Sequence, residues 1–121
     1  MKKTLRLIPL FILYIAILYL SLKTPSGKPP IINNIDKLYH FIAYGTLGFT
    51  ICFSILNKRI SYVILVFSLI FGLTIEYIQG TLPYRDMSIA DGISNTLGLI
   101  SGTILYKRLE GLLRKYLSFI Y

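Results

Sequence analysis

Three short groups of ionisable and amide side chains interrupt an otherwise apolar chain, and helical spacing puts each group on one face. Asp36, His40 and Tyr44 stand four apart, with Lys37 alongside. Glu76 and Gln79 stand three apart. Asp91 and Asn95 stand four apart, with Arg85 just upstream. Carboxylate, imidazole, amide and guanidinium groups brought together can grip a polar head group, move a proton or hold a divalent cation. No H-E-x-x-H, G-x-S-x-G, P-loop or CxxC pattern accompanies them, which weakens the catalytic reading. Cys52 is the only cysteine, so neither an intrachain disulfide nor a thiolate metal cluster is available. The expected site is therefore a ligand-binding set of Asp36, Lys37, His40, Tyr44, Glu76, Gln79, Arg85, Asp91 and Asn95. It carries no assigned catalytic residue, cofactor or metal.

Each residue also has a plainer use. Ser88-x-x-Asp91 has the form of a capping box, in which Asp91 would only satisfy backbone N–H groups. Asp36 would favour the positive end of a helix dipole. A lone His40 is commonly a packed, hydrogen-bonded residue. Asn95, Gly98 and Gly102 form a stripe suited to close helix packing, as do Gly45 and Gly48. What these uses leave unexplained is why the three groups gather on one side.

The positioning elements follow from composition. Of 121 residues, 55% are hydrophobic, and the mean hydropathy is +0.66. That is a membrane-class composition with too little polar surface for a water-soluble globule. Four apolar runs, about 7–22, 38–56, 61–78 and 89–106, approach the roughly 20 residues a helix needs to cross the bilayer. Backbone groups in lipid must be bonded internally, so these runs are helices. The first run is expected to be an uncleaved helix rather than a signal peptide, with Pro9 tolerated in its first turns. Pro25, Gly27, Pro29 and Pro30 make the first link an extended loop, and the short link at 57–60 makes the second and third helices antiparallel neighbours. After Tyr106, Leu109, Leu112, Leu113, Tyr116, Leu117 and Ile120 recur at helical spacing opposite basic residues, which predicts an amphipathic helix lying on the membrane surface. The fold class is thus all-α, a single domain of four transmembrane helices plus a C-terminal interfacial helix.

The net charge of +8 does not point to nucleic acid, because the basic residues lie in the segments between apolar runs. Nine Lys and Arg residues fall on one side of a four-span arrangement and four on the other, so both termini are expected in the cytoplasm. All three polar groups then meet at the outer boundary. A lone carboxylate at the depth of Glu76 would cost about 2–3 kcal/mol, so Arg85 is its expected partner.

The residues Asp36-Lys37-x-x-His40-Phe41-x-x-Tyr44, then Glu76-x-x-Gln79, then Pro83-x-Arg85-x-x-Ser88-x-x-Asp91-x-x-x-Asn95-x-x-Gly98 resemble the VanZ-like family, named for an accessory protein of teicoplanin resistance. The resemblance covers about residues 36–98. It implies a multi-pass protein of the bacterial cytoplasmic membrane, with Asp36, His40, Tyr44, Glu76, Gln79, Arg85, Asp91 and Asn95 as functional positions. The expected function is to lower susceptibility to lipoglycopeptide antibiotics by binding an amphiphile at the outer leaflet. Membrane lipids, a lipid-linked wall precursor and a glycopeptide antibiotic are the expected partners. Two alternatives belong to other classes: an enzyme modifying an envelope lipid by acid–base or metal-assisted chemistry, and a structural subunit of a membrane complex.

Overall fold

The computed structural model describes residues 2–24 and 34–121. The proline-containing link predicted between the first two helices therefore lies outside the described residues. The described residues form four helices and no strand: α1 Lys2–Leu22, α2 Ile35–Ser54, α3 Lys58–Thr81 and α4 Ile89–Tyr116.

Local sequence accounts for most of the helix ends. Asn57 caps α3, its side chain accepting from the Ile60 N–H at 3.2 Å, so α2 and α3 are joined by only three residues. Ser88 caps α4 and accepts from the Asp91 N–H at 3.3 Å. α1 begins earlier than the apolar run suggested, which moves Pro9 from the first turn into the helix interior, where it leaves a backbone carbonyl without its usual donor. The predicted interfacial helix does not exist as a separate element. α4 continues without a break through Tyr106 to Tyr116, because residues 107–110 contain neither Gly nor Pro to stop it. The chain turns only at Leu117, bringing Tyr121 back to Tyr106 with their hydroxyls 3.1 Å apart.

α2 packs most extensively on α4, and the two run parallel, with His40 level with Asn95 and Phe49 level with Tyr106. Glycine makes that approach possible. A Cβ on Gly48 would collide with the Leu99 carbonyl, one on Gly98 with the Phe41 carbonyl, and one on Gly102 with the Gly45 carbonyl. Backbone thus meets backbone along the seam. α1 runs antiparallel to α2 and parallel to α3. The Ser54 hydroxyl donates to the Arg6 carbonyl at 2.6 Å, and Tyr14 is hydrogen-bonded to Ser68. Leu10, Ile17, Tyr44, Leu47, Ile51, Ile75 and Leu99 form the core, to which all four helices contribute.

Among the described residues, two helical segments, Thr4–Leu22 and Lys58–Thr81, are long and apolar enough to cross a membrane. α2 carries Asp36, Lys37 and His40, and α4 carries Asp91, Asn95 and the charged residues within 107–115, which lowers their hydropathy. All four helices turn large apolar side chains outward, among them Ile15, Ile42, Val66 and Ile100. Ser54, Ser61, Ser68, Glu76, Gln79, Asp91 and Asn95 are buried.

The seam predicts a sharp contrast between two glycines of α4. Gly102→Ala is expected to cost about 1–3 kcal/mol or more by overpacking. Gly111→Ala, where nothing lies within 4 Å, is expected to be neutral or stabilising. Thermal unfolding of the two variants in detergent measures the difference.

Candidate functional site

The N-terminal turns of α2 and α4 and the last turns of α3 converge at one end of the bundle. α2 supplies Asp36, Lys37 and His40, α3 supplies Glu76 and Gln79, and α4 supplies Asp91 and Asn95. His40 Nδ1 lies 2.9 Å from Asn95 Oδ1, and its Nε2 lies 3.5 Å from Asp91 Oδ2. Lys37 Nζ lies 3.0 Å from Asp36 and 3.5 Å from Asp91 Oδ1. Burial opposes ionisation of Asp36, but the hydrogen bond and charge of Lys37 outweigh it, so this carboxyl titrates below its ordinary value.

The start of α4 is arranged differently from a self-contained capping box. In that motif the third helical residue reaches back to the backbone N–H of the cap. Here the Ser88 hydroxyl accepts from the Asp91 N–H, but the Ser88 N–H donates to Glu76 Oε1 of α3, at 2.5 Å. Glu76 has taken over the reciprocal half of the cap. The Asp91 carboxylate is thereby released toward His40 and Lys37. Asp91 is only 7% exposed and Glu76 only 5%, and Asp91 Oδ1 and Glu76 Oε2 are buried with no hydrogen-bond partner among the described residues.

Glu76 and Arg85 do not form the expected ion pair. Arg85 turns to the end of α1, where Nη2 donates to the Leu20 and Lys23 carbonyls at 3.4 and 3.2 Å. Gln79 Nε2 donates to the Ser21 carbonyl at 2.8 Å, and the Tyr84 hydroxyl donates to the Leu22 carbonyl at 3.2 Å. The reason is the end of α1, whose last carbonyls have no helical donors. Three side chains from α3 and the loop after it supply them, and a guanidinium also suits the negative end of the dipole. Gln79 and Arg85 are thus brought to the same end of the bundle but spend donors on α1. Tyr44 lies deeper, 2% exposed, with its ring against Gly72.

Two clefts open beside the cluster. One, of about 390 Å³, lies between α3 and α4 and is lined mainly by apolar side chains such as Leu73, Met87, Ile93 and Leu97, with Glu76 and Ser88 also on its wall. The other, of about 490 Å³, is lined by Ile17, Lys23, Asp36, His40, Gln79 and Arg85 among others. His40, Glu76 and Asp91 are also the residues placed to share a metal ion, with one ligand atom of each within 4.8 Å of the others.

Sequence reasoning missed Ser88 as the partner of Glu76, and it missed Tyr84. The cap pattern announced Ser88, but nothing in the linear order says which carboxylate would take its N–H. Arg6, one of the basic residues preceding the first apolar run, was not expected to be buried. The side chain is only 6% exposed, with its guanidinium carbon 5.5 Å from the centre of the Tyr121 ring.

The site predicts that Glu76→Gln and Arg85→Gln act independently. Their destabilising effects should add within about 0.5 kcal/mol, since the two side chains share no partner. A double-mutant cycle of unfolding in detergent checks this, and a coupling energy well above that value would restore the ion pair.

The family model described as VanZ/LLP1 matches residues 2–114 of this chain. No curated protein and no solved structure matches it.

Proposed function

This chain belongs to the VanZ/LLP1 family, and we propose that it is a cell-envelope membrane protein that binds an amphiphile at the outer leaflet of the bacterial cytoplasmic membrane. In this reading all four helices span the bilayer as one domain and both termini are cytoplasmic. The apolar outward faces and buried polar side chains of every helix support it, since a soluble bundle would be built the other way round. The excess of Lys and Arg in the segments at the far end supports the orientation.

One observation carries the binding reading. An apolar cleft between α3 and α4 has Glu76 and Ser88 on its wall, beside the polar cluster. An acyl or prenyl chain fits along this cleft with its polar head against Glu76 and Ser88, next to Asp91, Asn95 and Lys37 of the cluster, while Asp36, His40, Tyr44, Gln79 and Arg85 line the second cleft. A lipid-linked wall precursor and the acyl tail of a lipoglycopeptide such as teicoplanin both have that form. Binding either one would lower antibiotic susceptibility.

Gly92 lines this cleft, and a Cβ there would touch only Leu73 Cδ2, at 3.6 Å. Gly92→Leu is therefore expected to fill the cleft with little damage to the seam. Cells expressing the protein should tolerate more teicoplanin than cells without it, and Gly92→Leu at equal membrane abundance should lose that protection. If Gly92→Leu protects as well as the wild type, the cleft is not the binding site. If expression changes no glycopeptide susceptibility and no wall precursor binds the purified protein, the reading fails.

The topology has its own test. In a Cys52→Ser background, Asp36→Cys and Arg85→Cys should both react with an impermeant thiol reagent from outside the cell. Labelling from opposite compartments would refute the arrangement.

The grouping of His40, Glu76 and Asp91 favours one second reading, acid–base or metal-assisted modification of an envelope lipid. A lipid-turnover activity lost in both His40→Ala and Glu76→Gln would support it.

A further inference from the structure

His40, Glu76 and Asp91 come from three different helices, yet one ligand atom of each lies within 4.8 Å of the other two. The imidazole is held in the tautomer a metal requires. Asn95 Oδ1 can only accept, so His40 Nδ1, at 2.9 Å, is the donor, and in the neutral imidazole Nε2 then carries the lone pair. Nε2 faces Asp91 Oδ2 at 3.5 Å, a separation at the limit of hydrogen bonding. Two ligands of one tetrahedral ion with bonds of about 2.0–2.1 Å stand about 3.3 Å apart, so the His40–Asp91 spacing suits a shared cation and Glu76, within 4.8 Å, would move inward to join it.

Two further observations point the same way. Glu76 Oε2 and Asp91 Oδ1 are buried and lack hydrogen-bond partners among the described residues, although each carboxylate has been stripped of water. The nearby cations cancel that charge only in part. Arg85 donates to α1 carbonyls, and Lys37 is divided between Asp36 and Asp91. Uncompensated buried carboxylates are costly, and a dication cancels two of them at once.

We infer that His40 Nε2, Glu76 and Asp91 bind a divalent transition-metal ion of the zinc class, with Asn95 as the positioning residue that orients the imidazole. The donor set selects the ion. An imidazole with two carboxylates suits Zn2+ or its first-row neighbours, whereas Mg2+ and Ca2+ prefer oxygen alone and Cu+ prefers sulfur. Three protein ligands leave a further coordination position, with Glu76 and Ser88 on the wall of the α3–α4 cleft. The sequence alone assigned no metal to these residues. The metal site rests on side-chain geometry and stands apart from the amphiphile reading: metal content can be lost while protection persists, or the reverse.

The test uses the full chain purified in detergent, stripped with a chelator, re-equilibrated with Zn2+ and assayed by elemental analysis and chelator competition. A single Zn2+ per chain is expected. His40→Ala should abolish binding, and Glu76→Gln and Asp91→Asn should each weaken it at least about tenfold, while Asn95→Leu should weaken it about 10–100-fold without removing a ligand atom. Asp86→Asn removes an exposed carboxylate outside the cluster and should bind as the wild type does. Should a variant not fold, Co2+ substitution in the wild type decides the matter. An intense visible absorption band indicates a low-coordinate nitrogen and oxygen site, and the weak spectrum of the hydrated ion rules it out. Absence of retained Zn2+ in the wild type, equal retention by His40→Ala, or binding of Mg2+ or Ca2+ in preference to Zn2+ would each overturn the inference.

Discussion

The glycine seam between α2 and α4 is the constraint on which the polar cluster depends. Helices bearing ordinary side chains pack with axes about 8–10 Å apart. Gly48, Gly98 and Gly102 remove that spacing, and carbonyl oxygens of each helix take the room a Cβ would need on the other. One consequence is register. With α2 and α4 parallel and locked backbone to backbone, His40 has no choice but to face Asn95 and Asp91. The seam also explains how an imidazole and an amide reach hydrogen-bonding distance from two separate helices without a long, flexible side chain between them.

The second organising feature is an exchange of partners around the ends of helices. Glu76 leaves its own helix to accept the N–H of the α4 cap, while Gln79, Tyr84 and Arg85 supply donors to the final turns of α1. Each bond satisfies a backbone group that the helix geometry orphans. Each also ties one helix to another at the same end of the bundle, so the cluster is enclosed by groups already committed elsewhere. Its charges are correspondingly unequal. Carboxylates face inward, one guanidinium faces α1, and one ammonium bridges two acids.

Much of this was legible in the residue order. The four helices follow from apolar runs of nearly the right length, and the three polar groups follow from spacing of three and four. Asp91, Asn95 and His40 meet as the pattern predicts, and the glycine stripe packs as its composition suggests. The illegible parts share a cause. Spacing says which residues lie on one face but not which of several acceptors a donor will choose, and Arg85 had both Glu76 and the orphaned α1 carbonyls within its range. Proximity in sequence favoured the carboxylate; the helix end prevailed because its carbonyls have no other donor. The tail failed for a related reason. Its leucines fit a surface helix and a continued α4 equally well, and only a breaking residue after Tyr106 would have separated the two.

The cap of α4 shows how a local motif can be diverted to make a site. Ser88-x-x-Asp91 can close on itself, and a closed box would hold Asp91 at its own helix terminus with nothing left for His40. Glu76 prevents closure by supplying the reciprocal hydrogen bond from α3. The arrangement gives up a short-range contact that any isolated helix could make and replaces it with one that exists only when α3 and α4 are assembled. In doing so it buries a second carboxylate beside the first, which no gain in helix stability requires. A packing role accounts for the glycines and a capping role accounts for Ser88, but neither accounts for placing Glu76 and Asp91 together beside an imidazole whose free nitrogen points at one of them. That combination is what separates a site from a well-capped bundle.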